Sequence, residues 1–333
     1  MKQRNRYFDV LRGVAILMVI AIHTYKPSIE GWINLANLGV RQILSCAVPL
    51  FFAMSGFFIY KKVLVSRFAV LKFWKHQIPK VYAPTILWSL PLFLLAVIKG
   101  NNPITSTLKL LMCGFSVYYF IAVIIQYYLL LPVLQRAKVT SLGGVILSVL
   151  ISLVSIVTVT FFNIILDAHL PLIIYAGCCL LWLMFFVVGC CLSDTPRTYS
   201  LGYVIALMLI GFILSFLESY YLLSHYRLGF GIKPSSFIFS LGAVLFLMSA
   251  RVEQFVANRM NALFRLLKYL GSVSFIVYLI HCYLIKWILP HTGFVNEYWL
   301  TRWLLVVILS LVTVQVLNRL IPTKLKYYFG IYD

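Results

Sequence analysis

The sequence predicts an all-α polytopic membrane protein with about ten transmembrane helices and both termini in the cytoplasm. Three observations lead to this fold class. Hydrophobic residues make up 62% of the 333 residues and charged residues only 11%, whereas soluble proteins carry about 25% charged residues. Apolar stretches of about 20 residues, the length that crosses a bilayer as a helix, recur along the chain. Lysine and arginine concentrate in alternate connections between them.

The apolar stretches that fit membrane-spanning helices can be taken in chain order. They are residues 8–25, 38–60, 82–98, 117–134, 142–162, 171–192, 200–217, 235–250, 270–288 and 299–317. The third contains Pro84 and Pro91, which a membrane helix tolerates when neighbouring groups satisfy the freed backbone. No long polar block interrupts the series. Residues 1–333 are therefore predicted to form a single transmembrane domain.

The basic residues predict the orientation. With the N-terminus inside, the cytoplasmic connections hold 19 lysines and arginines and the outer connections hold 5. Because positive charge favours the cytoplasmic side, an even number of spans is expected. We interpret the net charge of +20 as topology and membrane-surface charge, with no nucleic-acid partner. The seven cysteines form no CxxC pair, so we expect buried thiols and no metal site.

The first expected span carries three ionisable residues, Asp9, Arg12 and His23. Such residues are costly inside a membrane and are candidates for function. Arg12 and His23 are 11 residues apart, which places them on one helix face about 16 Å apart along the axis. Asp9 lies one turn before Arg12 and can pair with it. The alternative is an ion pair at the membrane edge and a histidine that reaches outward.

The connection after the second span is the most basic part of the chain. It contains Arg67, Lys72, Lys75 and Lys80, together with His76 and several aromatic residues. Such a patch can hold phosphates of a lipid headgroup or of a nucleotide-bearing cofactor. The alternative is a cytoplasmic anchor that binds no ligand.

The ninth expected span has a polar face. Ser274, Tyr278 and His281 follow the spacing i, i+4, i+7, which places them on one side of a helix. Inside a bundle this face is either a polar network or part of a site. In the second expected span, Ser55 and Gly56 are small residues that allow neighbouring helices to approach closely.

Three blocks of sequence resemble the membrane-bound acyltransferase family 3. They are Phe8-Asp9-x-Leu11-Arg12-Gly13-x-Ala15-Ile16-Leu17 with His23, Pro49-Leu50-Phe51-Phe52-x-x-Ser55-Gly56, and Gly271-x-x-Ser274-x-x-x-Tyr278-x-x-His281. They occur in family order and span nearly the whole chain. The arginine, ten residues, histidine pattern is the most specific. The length resembles a member with the membrane domain alone.

The resemblance implies an acyl-CoA-dependent O-acyltransferase of the bacterial cytoplasmic (inner) membrane. Its acyl donor would be acetyl-CoA and its acceptor a hydroxyl of a surface polysaccharide, such as lipopolysaccharide, or of a lipid-linked precursor. His23 would act as the base, with Arg12 and Asp9 in the catalytic set. Arg67, Lys72, Lys75, Lys80, Ser274, Tyr278 and His281 would bind substrate or cofactor.

One departure concerns the basic connection. The family usually has arginines there, whereas this sequence has mainly lysines ahead of Pro84. Lysine keeps the charge but loses the bidentate fork of arginine. A transporter or flippase of a glycan or lipid precursor is the alternative function. It would be expected to show two related halves with matching broken helices, and the sequence shows no convincing repeat.

Overall fold

A computed structural model describes residues 6–25, 30–168, 170–226, 232–257, 262–293 and 298–332. Within these ranges the chain is helical and contains no strand. Eight helical segments are long and apolar enough to cross a membrane: Arg6–Thr24, Trp32–Ile59, Arg67–Ile98, Ser116–Arg136, Leu142–Ile164, Leu201–Tyr226, Ser274–His291 and Trp299–Leu320. A ninth span exists if Pro234–Leu247 and Ala250–Ala257, bent by 53°, count together. The multi-pass helical fold is confirmed, and the number ten remains a prediction.

The α-helices are numbered in chain order. They are α1 Arg6–Thr24, α2 Trp32–Leu44, α3 Ala47–Ile59, α4 Arg67–Ile98, α5 Pro103–Leu111, α6 Tyr119–Arg136, α7 Leu142–Thr160, α8 Leu172–Tyr175, α9 Cys179–Asp194, α10 Leu201–Tyr226, α11 Pro234–Leu247, α12 Ala250–Ala257, α13 Ala262–Ser272, α14 Ser274–Tyr283, α15 Trp299–Leu320 and α16 Thr323–Phe329.

Helix α1 lies inside the bundle and packs against α2, α3, α13, α14 and α15. Phe8, Ala15, Ile16 and Ile20 on this helix are fully buried. By contrast, α10 presents many large apolar side chains at the surface of the bundle, as expected of a helix that faces lipid. The helix that carries Asp9, Arg12 and His23 is therefore one that the protein shields from lipid.

Two motif glycines lie where helices approach each other closely. A Cβ atom added to Gly56 would lie 2.1 Å from the backbone oxygen of Phe186, which joins α3 to α9. A Cβ atom on Gly271 would lie 1.7 Å from the backbone oxygen of Asp9, which joins α13 to α1. Neither position has room for a larger residue without moving a backbone. The expected role of Gly56 in close packing is confirmed.

The structure corrects the expectation for residues 61–80. Most of this segment is not a loop but the first part of α4, which begins after Ser66 caps the backbone N–H of Ala69 at 3.1 Å. Helix α4 has 32 residues, which corresponds to about 48 Å against a hydrocarbon core of about 30 Å. Pro79, Pro84 and Pro91 lie inside the helix. A continuous helix of this length carries its basic end beyond the membrane core.

Two expected spans begin later than predicted. Residues 171–178 form the short helix α8 and a break, so the apolar helix of the sixth expected span begins at Cys179 and, with 16 residues, is shorter than the eight spanning segments. The expected span 270–288 begins at Ser274, because Gly271 belongs to α13 and Val273 separates the two helices. Breaks of this kind in membrane proteins line cavities or are buried in protein. Five of the basic residues that contribute to the charge asymmetry lie outside the described residues: Lys2, Arg4, Lys26, Arg227 and Arg259.

Candidate active site

A cavity of about 250 Å³ runs alongside α1 from Arg12 to His23. We call it the inner cavity. Its wall is completed by a further residue of α1 and by residues of α3, α4, α6 and α14 and of the turn before α6: Val19, Val48, Phe51, Ser55, Val81, Val117, Tyr119, Phe120, Ile121, Ile124, Tyr128, Ser274, Phe275 and Tyr278. Arg12 and His23 therefore share one internal space, as their helical spacing predicts. Their chemical roles remain predictions.

Arg12 is held by two neighbours at one end of the inner cavity. Its Nη1 donates to Oδ1 of Asp9 at 2.9 Å, and Asp9 is buried. Its guanidinium also lies 4.9 Å from the ring centroid of Phe58. A carboxylate and an aromatic face both favour the charged guanidinium. Asp9 is thus placed to orient Arg12.

His23 and His281 form a pair of imidazoles at the other end. Their ring centroids are 5.5 Å apart. His281 is fully buried, and its Nδ1 lies 2.7 Å from the carbonyl oxygen of Tyr278. Because a carbonyl can only accept, Nδ1 of the neutral ring carries the proton. The remaining nitrogen, Nε2, is a buried acceptor without a hydrogen-bond partner in the described part of the chain.

The polar face of α14 contributes two residues to the wall of the inner cavity. Ser274 and Tyr278 line the inner cavity. The Ser274 hydroxyl donates to the carbonyl of Gly271 at 2.8 Å, and the Tyr278 hydroxyl donates to the carbonyl of Val117 at 2.6 Å. Both hydroxyl protons are therefore engaged in fixing the cavity wall. Only the oxygens and the Tyr278 ring remain to contact a ligand.

A second cavity, of about 190 Å³, also contains His23. We call it the outer cavity. It shares His23, Val48 and Tyr119 with the inner cavity and is otherwise lined by Ile22, Arg41, Ser45, Pro49, Leu172, Tyr175, Trp182, Ile232, Ser236, Phe237 and Ser240. The His23 side chain is accessible because it borders these internal spaces, although it lies within the bundle.

Arg41 is the residue that the sequence analysis missed. It is 9% exposed and lines the outer cavity from α2. The first expected boundary of the second span, residue 38, left Arg41 at the membrane edge. In the structure the helical segment starts at Trp32, so Arg41 lies about two and a half turns inside it. The rule that ionisable residues within a span are functional candidates would have selected it.

A hydrogen-bonded cluster lies next to Arg41. The Nζ of Lys233 donates to Oε1 of Gln42 at 2.8 Å and to the carbonyl of Ser215 at 2.9 Å. Burial lowers the pKa of Lys233, which stands just before α11, to about 7, while Glu218 opposes this shift. Lys233 joins α2, α10 and α11 and does not line either cavity.

The four basic residues expected to hold a cofactor do not line the inner cavity. Arg67, Lys72 and Lys75 are exposed on α4, and Lys80 is half-buried with its Nζ 2.8 Å from Nε2 of His76. The same helix reaches the inner cavity through Val81, which lines it. Trp74 on the same helix donates to the carbonyl of Tyr128 at 2.9 Å. Helix α4 therefore carries a basic exterior stripe outside the cavity wall.

The fold and the two cavities define a multi-pass membrane protein with a histidine-centred internal site. Comparison with protein families gives the class. The family model described as an acyltransferase domain matches residues 5–318, so the chain belongs to acyltransferase family 3. The resemblance seen in the sequence is confirmed, and with it acyl transfer in general.

A curated relative also shares part of the sequence. The serine/alanine racemase of Enterococcus gallinarum is 32% identical over 130 residues, a match that covers 36% of this chain and 18% of the racemase. The alignment thus spans under a fifth of that protein's length. No solved structure matches the chain.

Proposed function

We propose that this protein is an O-acyltransferase of the bacterial cytoplasmic membrane. It transfers an acetyl group from cytoplasmic acetyl-CoA to a hydroxyl of a surface polysaccharide or its lipid-linked precursor. The observation that supports the proposal best is the position of His23, which borders both cavities. A donor in the inner cavity and an acceptor in the outer cavity would meet at this imidazole.

The inner cavity suits the acyl end of acetyl-CoA. Its middle is lined largely by valine, isoleucine and phenylalanine side chains, which fit a narrow thioester-bearing arm. Arg12 stands at the end that the charge distribution predicts to be cytoplasmic. The basic stripe of α4 lies on the same predicted side, where it attracts the phosphates of the nucleotide.

His23 supplies the base for the transfer step. It takes the proton of the acceptor hydroxyl while that oxygen attacks the thioester carbonyl, forming the new ester bond. The carbon–sulfur bond breaks, and the proton passes from His23 to the leaving CoA sulfur. Atoms and charge balance without a metal or another reactant.

Arg12 fits the binding of the donor better than the stabilisation of the oxyanion. The 11 residues between Arg12 and His23 correspond to about 16 Å along α1. An oxyanion donor must lie about 3 Å from the reacting carbonyl oxygen. A guanidinium fixed on Asp9 at the far end of the cavity is instead placed to contact a phosphate or the pantetheine amides of CoA.

His281 acts on His23 as a positioning residue. Its Nε2 is an unsatisfied buried acceptor beside the His23 ring. By accepting a hydrogen bond from the N–H of the His23 ring, His281 would fix which nitrogen of His23 faces the hydroxyl of the glycan. Such a contact also offsets the cost of leaving a polar atom buried without a partner.

The transporter or flippase alternative draws on the same geometry, since two cavities that meet inside a bundle also suit alternating access. The two functions differ in the fate of the acetyl group. An acyltransferase moves label from acetyl-CoA into the glycan as an ester, whereas a transporter moves an unmodified glycan. Family membership favours the acyltransferase.

The decisive experiment compares cells with and without the gene. Surface glycan from each is analysed for alkali-labile acetyl groups, and isolated membranes are supplied with acetyl-labelled acetyl-CoA. We expect the ester and the label to appear only with the gene. Unchanged acetylation together with a loss of glycan from the cell surface would support the transporter instead.

A further inference from the structure

The outer cavity contains a fixed cation. Arg41 is 9% exposed and borders the cavity together with His23. Among the described residues that line this cavity, none carries a carboxylate. Burial of a guanidinium in a membrane protein is costly, and such residues mark places where a charged ligand is handled. A guanidinium and the proposed base thus border the same cavity.

Two further ionisable residues lie near Arg41. Lys233 interacts electrostatically with Arg41, and its own hydrogen bonds go to Gln42 and Ser215. The carboxylate of Glu218 interacts with Lys233 and accepts from the backbone N–H of Ser235 at 3.2 Å. Neither Lys233 nor Glu218 lines the outer cavity, so among the described residues Arg41 is the side chain that brings a full charge to its wall.

The rest of the wall suits a polyhydroxylated ring. Tyr119, Tyr175 and Trp182 contribute aromatic surfaces, and Ser240 contributes a hydroxyl. Aromatic faces pack against apolar ring faces, while hydroxyls and cations supply orientation. Arg41 has the planar donor fork that matches phosphate and carboxylate geometry. The outer cavity therefore combines a wall that suits a sugar ring with a guanidinium that suits an anion.

We propose that the outer cavity binds an anionic acceptor: a glycan unit that carries a phosphate or carboxylate near the hydroxyl to be acylated. Arg41 holds the anion, and the hydroxyl then faces His23. This inference rests on the proposed function, because it assigns the outer cavity to the acceptor. It adds a charge requirement that acyltransferase activity alone does not demand.

The test measures binding to the full chain in phosphatidylcholine nanodiscs by calorimetry. The probes are methyl glucoside, methyl glucuronide and methyl glucoside 6-phosphate. We expect at least one charged glycoside to bind tenfold or more tightly than the neutral one, and the better of the two identifies the anion as carboxylate or phosphate. Equal binding of all three, including no binding, overturns the proposal.

Variants separate the cavity from general charge attraction. Arg41→Gln should reduce the preference for the charged glycoside to below threefold, and Arg41→Lys should keep part of it. Ser240→Asp adds a carboxylate to the wall and should also remove the preference, which covers the case that Arg41→Gln does not fold. Lys99→Gln, an exposed charge outside both cavities, should change nothing. A preference that survives both Arg41→Gln and Ser240→Asp overturns the proposal.

Titration with acetyl-CoA in the same nanodiscs distinguishes failure of the anionic-acceptor inference from failure of the acyltransferase proposal. If acetyl-CoA binds and no charged glycoside is preferred, the anionic-acceptor inference fails while the acyltransferase proposal stands. If acetyl-CoA does not bind, the acyltransferase proposal itself fails. Normal acetyl-CoA binding by the Arg41 variants would show that they are folded.

Discussion

The inner and outer cavities meet at the same histidine but have different walls. Six valine and isoleucine side chains and two serines line the inner cavity. Three valine and isoleucine side chains and three serines line the outer cavity. The inner arginine, Arg12, is matched by a carboxylate at 2.9 Å. Arg41 of the outer cavity stands among tyrosines, with which it interacts electrostatically. Aromatic side chains line both cavities, so the clearest difference between them is the setting of the arginine that each one contains.

Under the proposed function, one fold would place its two substrates in neighbouring cavities rather than in separate domains. The comparison depends on three things. The inner cavity must open towards the cytoplasm, His23 must serve both sides, and the cations at the inner end must act on the donor alone. Each can be tested.

Topology gives the largest, all-or-none effect. Because basic residues favour the cytoplasmic side, reporter fusions after residues 75 and 333 should both report a cytoplasmic location, and a fusion after residue 35 should report the outside. Alkaline phosphatase and green fluorescent protein fusions measure this directly. A periplasmic result at residue 75 would reverse the assignment of donor and acceptor cavities.

His23→Ala should abolish transfer for every donor and acceptor. Loss of a general base typically costs about 10²–10⁴ in rate, and the change removes a polar group from the bundle with only a small cavity left behind. The measurement is labelled-acetyl transfer at matched membrane abundance. His225→Ala, at an exposed position on α10, is the control. Activity above about a tenth of wild type, against that 10²-fold minimum, would exclude His23 as the base.

Arg12→Gln should act on the donor side only. A hydrogen bond to a charged group contributes about 1.5–3 kcal/mol, so KM for acetyl-CoA should rise by about tenfold or more. The KM for the acceptor should stay the same. The variant leaves Asp9 buried without its partner, so membrane abundance is measured in parallel. An equal rise in both KM values would break the division between the cavities.

His281→Phe should lower kcat while leaving both KM values unchanged. It keeps an aromatic ring beside His23 but removes the accepting Nε2. Loss of one hydrogen bond worth about 0.5–1.5 kcal/mol corresponds to a decrease of about two- to tenfold. His281→Gln, which retains an acceptor, should recover part of the rate. Similar kcat values for the Phe and Gln variants would indicate a packing role instead.

The smallest effect concerns the exterior of α4. Changing Lys72, Lys75 and Lys80 together to Gln should raise KM for acetyl-CoA several-fold, since exposed pairs contribute about 0.2–1 kcal/mol each. The rise should shrink as salt is added. The control changes Lys324 and Lys326 to Gln. Equal effects of the two sets would favour simple anchoring to the membrane.

Much of the fold follows from the sequence because lipid imposes simple rules. Apolar length located the helices, and the helical period placed Arg12 and His23 on one cavity wall. The expected start of the third span was wrong, because the basic residues before Val81 interrupt the apolar pattern, whereas helix α4 continues through them. The break at Val273 also escaped notice, since the apolar pattern continues through it.

The outer cavity could not be predicted because its wall comes from distant parts of the chain. Arg41 lies on α2, Tyr175 at the end of α8, and Ser236 on α11. Neither spacing nor hydropathy relates these residues to one another. Arg41 could have been suspected as a charged residue within a span, but its proximity to His23 is a property of tertiary packing.

The junction of the two cavities has a consequence for the energy balance of the cell. A membrane potential stores about 2.3 kcal/mol per elementary charge per 100 mV, and a continuous file of water through the protein would dissipate it. Under the proposed function the two cavities open to opposite sides, so His23, Val48 and Tyr119, which border both, would have to form a seal against ions as well as a reaction centre. Such an enzyme would pass a two-carbon group between carriers on the two sides of an energised membrane without conducting ions.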